Sequence, residues 1–224
     1  LNDNDLSFSV LSYPDSIIIE KRKFIDYNST FAGGNLFPYL MLVHILMKGG
    51  IGMNDPCDLN HQIRTQRLAL QIARNLGIVK EEQLKPISIA SRLHDIGKIS
   101  IPSDILLKPG KLTDSEFAVI RMHPEIGCAA ISRVNFPWPI AEIILEHHEN
   151  MDGSGYPRGL KGQEIRFEAK IIRVADTIDA MASDRAYRAA QPKQEIISEL
   201  NRGKGLIYCK EICEAAIAYL TAES

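Results

Sequence analysis

The sequence predicts an all-α bundle, on three observations. Apolar residues recur at spacings of three and four in "IRTQRLALQIARNLG", "PISIASRLHDIG", "PIAEIILEHH" and "EAKIIRVADTIDAMA". Start and stop signals bracket these runs. Hydrophobic residues make up 45% and charged residues 24% of the 224 positions, enough for one medium domain with a sizeable core.

Residues 1–40 stand apart. "SFSVLSYPDSIIIEKRKFIDYN" is β-branched and aromatic, and "STFAGGN" after it is a loop signal, so this stretch reads as an accessory segment with strand character or the remnant of a regulatory domain. The helical domain is expected over 41–224. Within it, one helix opens near His61 and closes at Gly77, Pro86 and Pro139 suit first-turn positions, and Thr113 with Glu116 forms a capping box.

A net charge of −2 supplies no broad positive field for a nucleic-acid duplex or an anionic membrane, so an anionic ligand must be caught locally. The longest apolar run, "LFPYLMLVHILM" at 36–47, is too short to cross a bilayer and carries His44. Four cysteines, Cys57, Cys128, Cys209 and Cys213, form no CxxC pair, and no secretory leader is visible. A reducing cytoplasm is the expected setting.

Five of the six histidines fall on or at the ends of predicted helices, beside carboxylates. His94 follows Ile87 and Ala90 on an inward face, and Asp95 comes next. His147 follows Ile140, Ile143 and Ile144 in the same way, while His123 precedes Pro124 at a helix interruption. Asp176 and Asp179 share one stripe of a later helix, and His61 opens an earlier one. A lone inward histidine is more often a hydrogen-bonded core residue than a ligand, and Asp176 alone would read as a satisfied buried carboxylate. Five such sites together favour a metal, because several buried ionisable groups are costly unless paired or coordinated. Adjacent His147 and His148 diverge by about 100° on a regular helix, so they share a centre only where the helix ends, and "ENMDGSGYP" is such an ending.

"HDIGK", "HPEIG", "HHENMDGSGYPRGLKG" and "RVADTIDAMASDRAY", in this order and spacing, resemble the HD-GYP family of HD-domain metal phosphohydrolases over roughly residues 41–220. The resemblance implies an HD-domain helical bundle and two divalent transition-metal ions, iron or manganese first, with nickel, cobalt or zinc as further options. By position it implies that His61, His94, Asp95 and Asp176 hold one ion, and Asp95, His123, His147 and His148 the other, with Asp95 bridging. Lys98 matches a phosphate-contacting lysine that acts in catalysis with Asp95, Tyr156 stands in the "GYP" turn at the mouth, and Arg185 and Arg188 match substrate-clamping positions. Each has a plainer reading: a solvated helix-end cation for Lys98, surface ion pairs for the arginines, a structural turn around Tyr156. Glu149 and Asp179 are candidates to orient the ligand imidazoles, or are helix-surface charges. Two departures stand out: Cys57 occupies the place where three-metal members carry glutamate, which argues against a third ion, and Ala186 replaces a common proline.

The implied activity is hydrolysis of cyclic di-GMP to linear pGpG or GMP in bacterial second-messenger signalling, with a bridging water as nucleophile. Cyclic GMP-AMP is the alternative substrate. A low-activity receptor that scaffolds a diguanylate cyclase is the alternative class. Expected partners are the cyclic dinucleotide, a diguanylate cyclase or regulatory domain, and a second copy of the chain.

Overall fold

The computed structural model describes residues 59–184 and 189–222, and these residues are helical with no strand among them. The 1–40 segment and its boundary at 41, His44, Cys57, Arg185, Ala186 and Arg188 lie outside the described residues.

Helix α1 (Leu59–Asn75) carries Ala69, Ile72 and Ala73 on one fully buried face. It stops as the sequence predicts: Gly77 adopts φ 82, its N–H reaches Arg74 O at 2.9 Å, and Ile78 N–H reaches Ala73 O at 3.0 Å. This pair of bonds satisfies carbonyls left open at the helix end, and the positive φ suits glycine. Helix α2 (Glu81–Leu93) runs back along α1. Pro86 lies inside α2 rather than in its first turn, because Glu81 and Glu82 start the helix a turn earlier, at the end that favours acidic side chains.

After α2 the chain tightens into a 3-10 turn, Ile96–Ser100, and then a single turn, α3 (Ser103–Leu106). Helix α4 (Asp114–Ile120) begins with the expected capping box of Thr113 and Glu116. Helix α5 (His123–Ile131) starts at the predicted interruption, with Pro124 in its first turn where a missing N–H costs nothing. Helix α6 (Ile140–Glu146) packs on α5 and buries Ile140, Ile143 and Ile144.

Helix α7 (Phe167–Ala182) packs along α1 and touches α2 and α6. Helices α8 (Lys193–Gly203) and α9 (Lys210–Ala222) close the other side of α1 and α7. The main core lies among α1, α2, α7, α8 and α9, where Ile72, Ile171, Leu200 and Ile212 are fully buried. Burial of one such side chain stabilises the fold by about 2 kcal/mol. The start of α1, the ends of α2 and α6 and the middle of α7 converge on the polar centre described below. None of the described helices is long and apolar enough to cross a membrane.

The 3-10 turn lies hard against α5. A Cβ added at Gly97 would sit 2.0 Å from His123 O and 2.7 Å from Gly127 N, both backbone atoms that cannot step aside alone. Gly97→Ala is therefore expected to destabilise the domain by about 2–3 kcal/mol. Urea unfolding midpoints measure this, and an unshifted midpoint would show that the turn can lift away from α5.

Candidate metal centre

Three of the histidines are held by one local device. His94 and His147 follow the last turns of α2 and α6, and His123 follows α4, places where helix carbonyls lack intrahelical partners. In each, Nδ1 meets the carbonyl three residues back: Ser91 O at 2.8 Å, Ile120 O at 2.8 Å and Ile144 O at 2.5 Å. A carbonyl only accepts, so Nδ1 carries a proton and donates, and each ring turns its Nε2 inward. His61 differs. It sits within α1, and its Nδ1 meets Asp179 Oδ2 at 2.6 Å. Behind it Arg64 donates Nε–H to Asp179 Oδ1 at 2.6 Å and Nη2–H to Oδ2 at 3.1 Å.

Asp95 lies among these rings. It is 1% exposed and adopts φ −96 and ψ 6, the sparsely allowed bridge region in which many site residues sit. Its Oδ2 is 3.3 Å from His94 Nε2 and 3.6 Å from His61 Nε2, and its Oδ1 is 3.3 Å from His123 Nε2. Asp176 Oδ1 stands 3.3 Å from His61 Nε2 and 3.8 Å from His94 Nε2. Two clusters result, His61 with His94 and Asp176, and Asp95 with His123, His147 and His148, the donor atoms in each lying within 4.8 Å of one another.

The adjacent pair His147 and His148 converges because α6 ends at Glu146, which frees the second ring from helical geometry. Their centroids are 4.1 Å apart, and His148 also meets His123 edge-on at 5.1 Å. Tyr156 stacks on the outer face of His148 at 4.7 Å and 27°. The turn that carries Tyr156 is tied down by Glu149, which accepts N–H bonds from Arg158, Gly159 and Leu160 at 2.6, 3.1 and 3.0 Å. Glu149 thus holds the turn and orients no imidazole, whereas Asp179 orients His61. Gly153 takes φ 83. Gly155 serves by lacking a side chain, since a Cβ there would meet Asn150 N at 2.4 Å and His148 O at 2.5 Å.

Burial opposes charge throughout the centre, and the neighbours decide which groups keep theirs. Burial would lower the value of His61, but hydrogen bonds to Asp176, Asp179 and Asp95 outweigh it and raise the imidazole to about 11. For His123, burial wins over the attraction of Asp95 and lowers it to about 4. His147 and His148 are pushed well below the ordinary value by burial and by neighbouring imidazoles. Burial would raise Asp95, but Lys98 and His94 hold it well below the carboxylate range. Asp176 is held low in the same way, chiefly by His61. Lys98 Nζ reaches Asp95 Oδ2 at 2.7 Å from within the 3-10 turn.

This arrangement fits a cation. His94 Nε2 and Asp95 Oδ1 are buried without a hydrogen-bond partner. His123 Nε2 and His147 Nε2 face each other at 3.2 Å although both Nδ1 atoms hold the protons, so two lone pairs point into one space. Opposed lone pairs and orphaned buried oxygens are costly in a dry core, and a divalent ion satisfies nitrogen and oxygen donors together.

A family model described as "HD domain" matches residues 48–211. The chain belongs to the HD-domain family, on its HD-GYP branch. This HD domain is 46% identical over 157 residues to a cyclic di-GMP phosphodiesterase from Thermotoga maritima, covering 69% of the chain and 42% of that relative. It is 33% identical over 159 residues to the 3'3'-cGAMP-specific phosphodiesterase 1 of Vibrio cholerae, covering 71% of the chain and 37% of that relative. The chain therefore spans about two fifths of the length of these relatives. Among solved structures, Bd1817, a HDG"Y"P protein from Bdellovibrio bacteriovorus, superposes with a TM-score of 0.62 at 20% identity, covering 73% of this chain and 52% of that one, which establishes the shared HD-domain fold.

The structure thus brings His61, His94, Asp95, His123, His147, His148, Asp176, Lys98 and Tyr156 to one place. Sequence reasoning missed Arg64 and Arg121. Arg64 was accessible to it, since it lies three residues after His61 as Asp179 lies three after Asp176, and i,i+3 partners share a helix face. Arg121 offered no comparable signal, because its partner Tyr156 arrives through a long-range turn.

Two outcomes follow from the His61 arm. Asp179→Asn keeps the side-chain shape but withdraws the charge behind Nδ1–H, and is expected to weaken Mn(II) binding 10- to 100-fold, roughly the effect of losing such an outer carboxylate, as read by chelator competition. His61, raised to about 11, is protonated at pH 7 in the metal-free protein, whereas His123, lowered to about 4, is not. Ligation needs the His61 lone pair, so Mn(II) binding at pH 7 should release about one proton from His61. Calorimetry in buffers of different ionisation heat counts it, and zero release would contradict the charge state derived for His61.

Proposed function

We propose that this HD domain is a metal-dependent phosphodiesterase that hydrolyses cyclic di-GMP to linear pGpG or GMP. The observation that carries the reading is Asp95, whose Oδ2 faces His61 and His94 while its Oδ1 faces His123. One carboxylate split between two donor clusters is what a two-ion centre needs. His61, His94, Asp176 and Asp95 would hold one ion, and Asp95, His123, His147 and His148 the other. The donor set, without thiolate, suits iron or manganese and admits nickel, cobalt or zinc. When bound, the ions supply an activated water and neutralise charge on the phosphodiester.

The protein's own residues do the rest. The water oxygen adds to phosphorus and the phosphorus–3′-oxygen bond breaks; the proton that the water gives up balances the one the departing 3′ oxygen takes up, leaving a 5′-phosphate and a 3′-hydroxyl. Lys98 is poised to move from Asp95 to a phosphoryl oxygen, where its charge counts most as negative charge develops in a water-poor site. Tyr156 lines the entrance, and Arg185 and Arg188 would clamp the substrate. The identity of 46% with a cyclic di-GMP phosphodiesterase supports cyclic di-GMP as the ring. The similarity to a cGAMP-specific enzyme keeps cyclic GMP-AMP as a second substrate reading. A cytoplasmic setting, a homodimer and docking of a diguanylate cyclase or regulatory domain accompany this proposal.

Elemental analysis of anaerobically purified protein, beside hydrolysis assays on both rings, tests the function. Two equivalents of a transition metal and linear product are expected. Tight nucleotide binding without product would make the domain a receptor instead. Lys98→Ala should lower turnover on the order of 100-fold, as for removal of one transition-state donor, with metal content intact. Loss of metal in that variant would show that the lysine's role is to hold Asp95.

A further inference from the structure

Arg121 belongs to neither donor cluster. It caps α4, with its N–H bonded to Phe117 O at 2.9 Å, and precedes His123 by two residues. Two residues of chain separate their Cα atoms by at most about 7 Å, so the turn that delivers His123 also delivers Arg121 to the rim. Its guanidinium carbon lies 4.6 Å from the centre of the Tyr156 ring and 5.9 Å from that of Phe117. Tyr156 in turn stacks on His148, so contacts run from the exposed Arg121 through the phenol to the imidazole of the centre.

A guanidinium held over an aromatic ring makes a cation–π contact that uses none of its N–H donors as hydrogen bonds, and those donors form the fork that matches a phosphate bidentately. Among the described residues no carboxylate pairs with Arg121, and its side chain is exposed. A chain of net charge −2 has no diffuse positive field, so capture of an anion falls to individual cations at the mouth.

We propose that Arg121 binds a phosphate oxygen of the incoming phosphodiester and that Tyr156 holds it in position to do so. The proposal rests on the phosphodiesterase reading of the centre. Arginine suits the task better than lysine, because its planar fork is pre-organised and the contact with Tyr156 restrains it before the anion arrives, so less freedom is lost.

The test uses the full chain loaded with Mn(II), as wild type, Arg121→Met and Arg121→Lys. Arg121→Met keeps an apolar stem over Tyr156 and removes the charge. It is expected to raise KM for cyclic di-GMP about tenfold, to weaken calorimetric binding of inorganic phosphate by a similar factor, and to lower kcat less than it raises KM. Arg121→Lys should fall between the two. Added salt should raise the wild-type KM more steeply than that of Arg121→Met, because a screened contact has been lost. Equal phosphate affinity in wild type and Arg121→Met overturns the proposal. So does loss of metal in Arg121→Met, which would make Arg121 a positioning residue for the ligand histidines. If wild type binds inorganic phosphate through Arg121 but converts no cyclic dinucleotide, the phosphodiesterase reading falls while the phosphate contact stands.

Discussion

Asp95 is almost wholly buried and ionised, and most of the surrounding architecture answers to that one carboxylate. An isolated anion in such a place costs several kcal/mol, so the fold must surround it with positive charge or polarised donors. Lys98 supplies the charge from the adjacent 3-10 turn, which begins directly after Asp95. Lys98 stands three residues after Asp95, a spacing at which two side chains meet on a helical turn. The tight turn folds the ammonium back, and Gly97 lets the same turn press against the start of α5, where His123 stands. One short segment thereby sets the carboxylate, its counter-charge and the distance to the second cluster.

The two clusters are built on different electrostatic plans. His123, His147 and His148 are kept neutral by burial, and the bonds of His123 and His147 to helix-end carbonyls aim their lone pairs inward. This half of the centre is made of dipoles, with Asp95 as its one anion. His61 belongs to a half rich in charge, facing Asp95, Asp176 and Asp179 at once. Arg64 is only partly buried, and its bidentate bond orients Asp179, whose carboxyl is held below its ordinary value against burial by His61 first and Arg64 second. The halves meet at Asp95, the one residue among those described whose oxygens are divided between them.

Much of this was legible in the sequence wherever a local rule governs. The 3.6-residue period reads out which helix faces are buried, so His94, His147, Asp176 and Asp179 could be aimed inward without coordinates. The end of α6 at the double histidine follows from the need of two adjacent rings to converge. Three things were not legible. Pro86 looked like a helix start, yet the acidic pair before it nucleates the helix earlier. Glu149 sits beside the histidines in sequence, but its oxygens serve backbone N–H groups nine to eleven residues away, a contact no periodicity encodes. Lys98 read as a phosphate contact, and although it stands three residues after Asp95, nothing in the sequence showed that its ammonium would turn back onto that carboxylate.

The link from Glu149 to the turn also explains why the glycine-rich stretch must follow the double histidine directly. Tyr156 can stack on His148 only if the chain reverses within a few residues, and Tyr156 N–H bonds His148 O at 3.2 Å to close that reversal. The returning strand of backbone then lies against residues 148–150 so closely that a side chain at position 155 has no room. Reversal leaves the N–H groups of residues 158–160 pointing toward the protein without partners of their own, and buried N–H groups must be satisfied. Glu149 meets that need with both oxygens, and its own burial is tolerable because three donors surround it. Entrance and centre are consequently one covalent unit of about a dozen residues. A shift in the turn moves the ring on His148 and, through it, the second cluster.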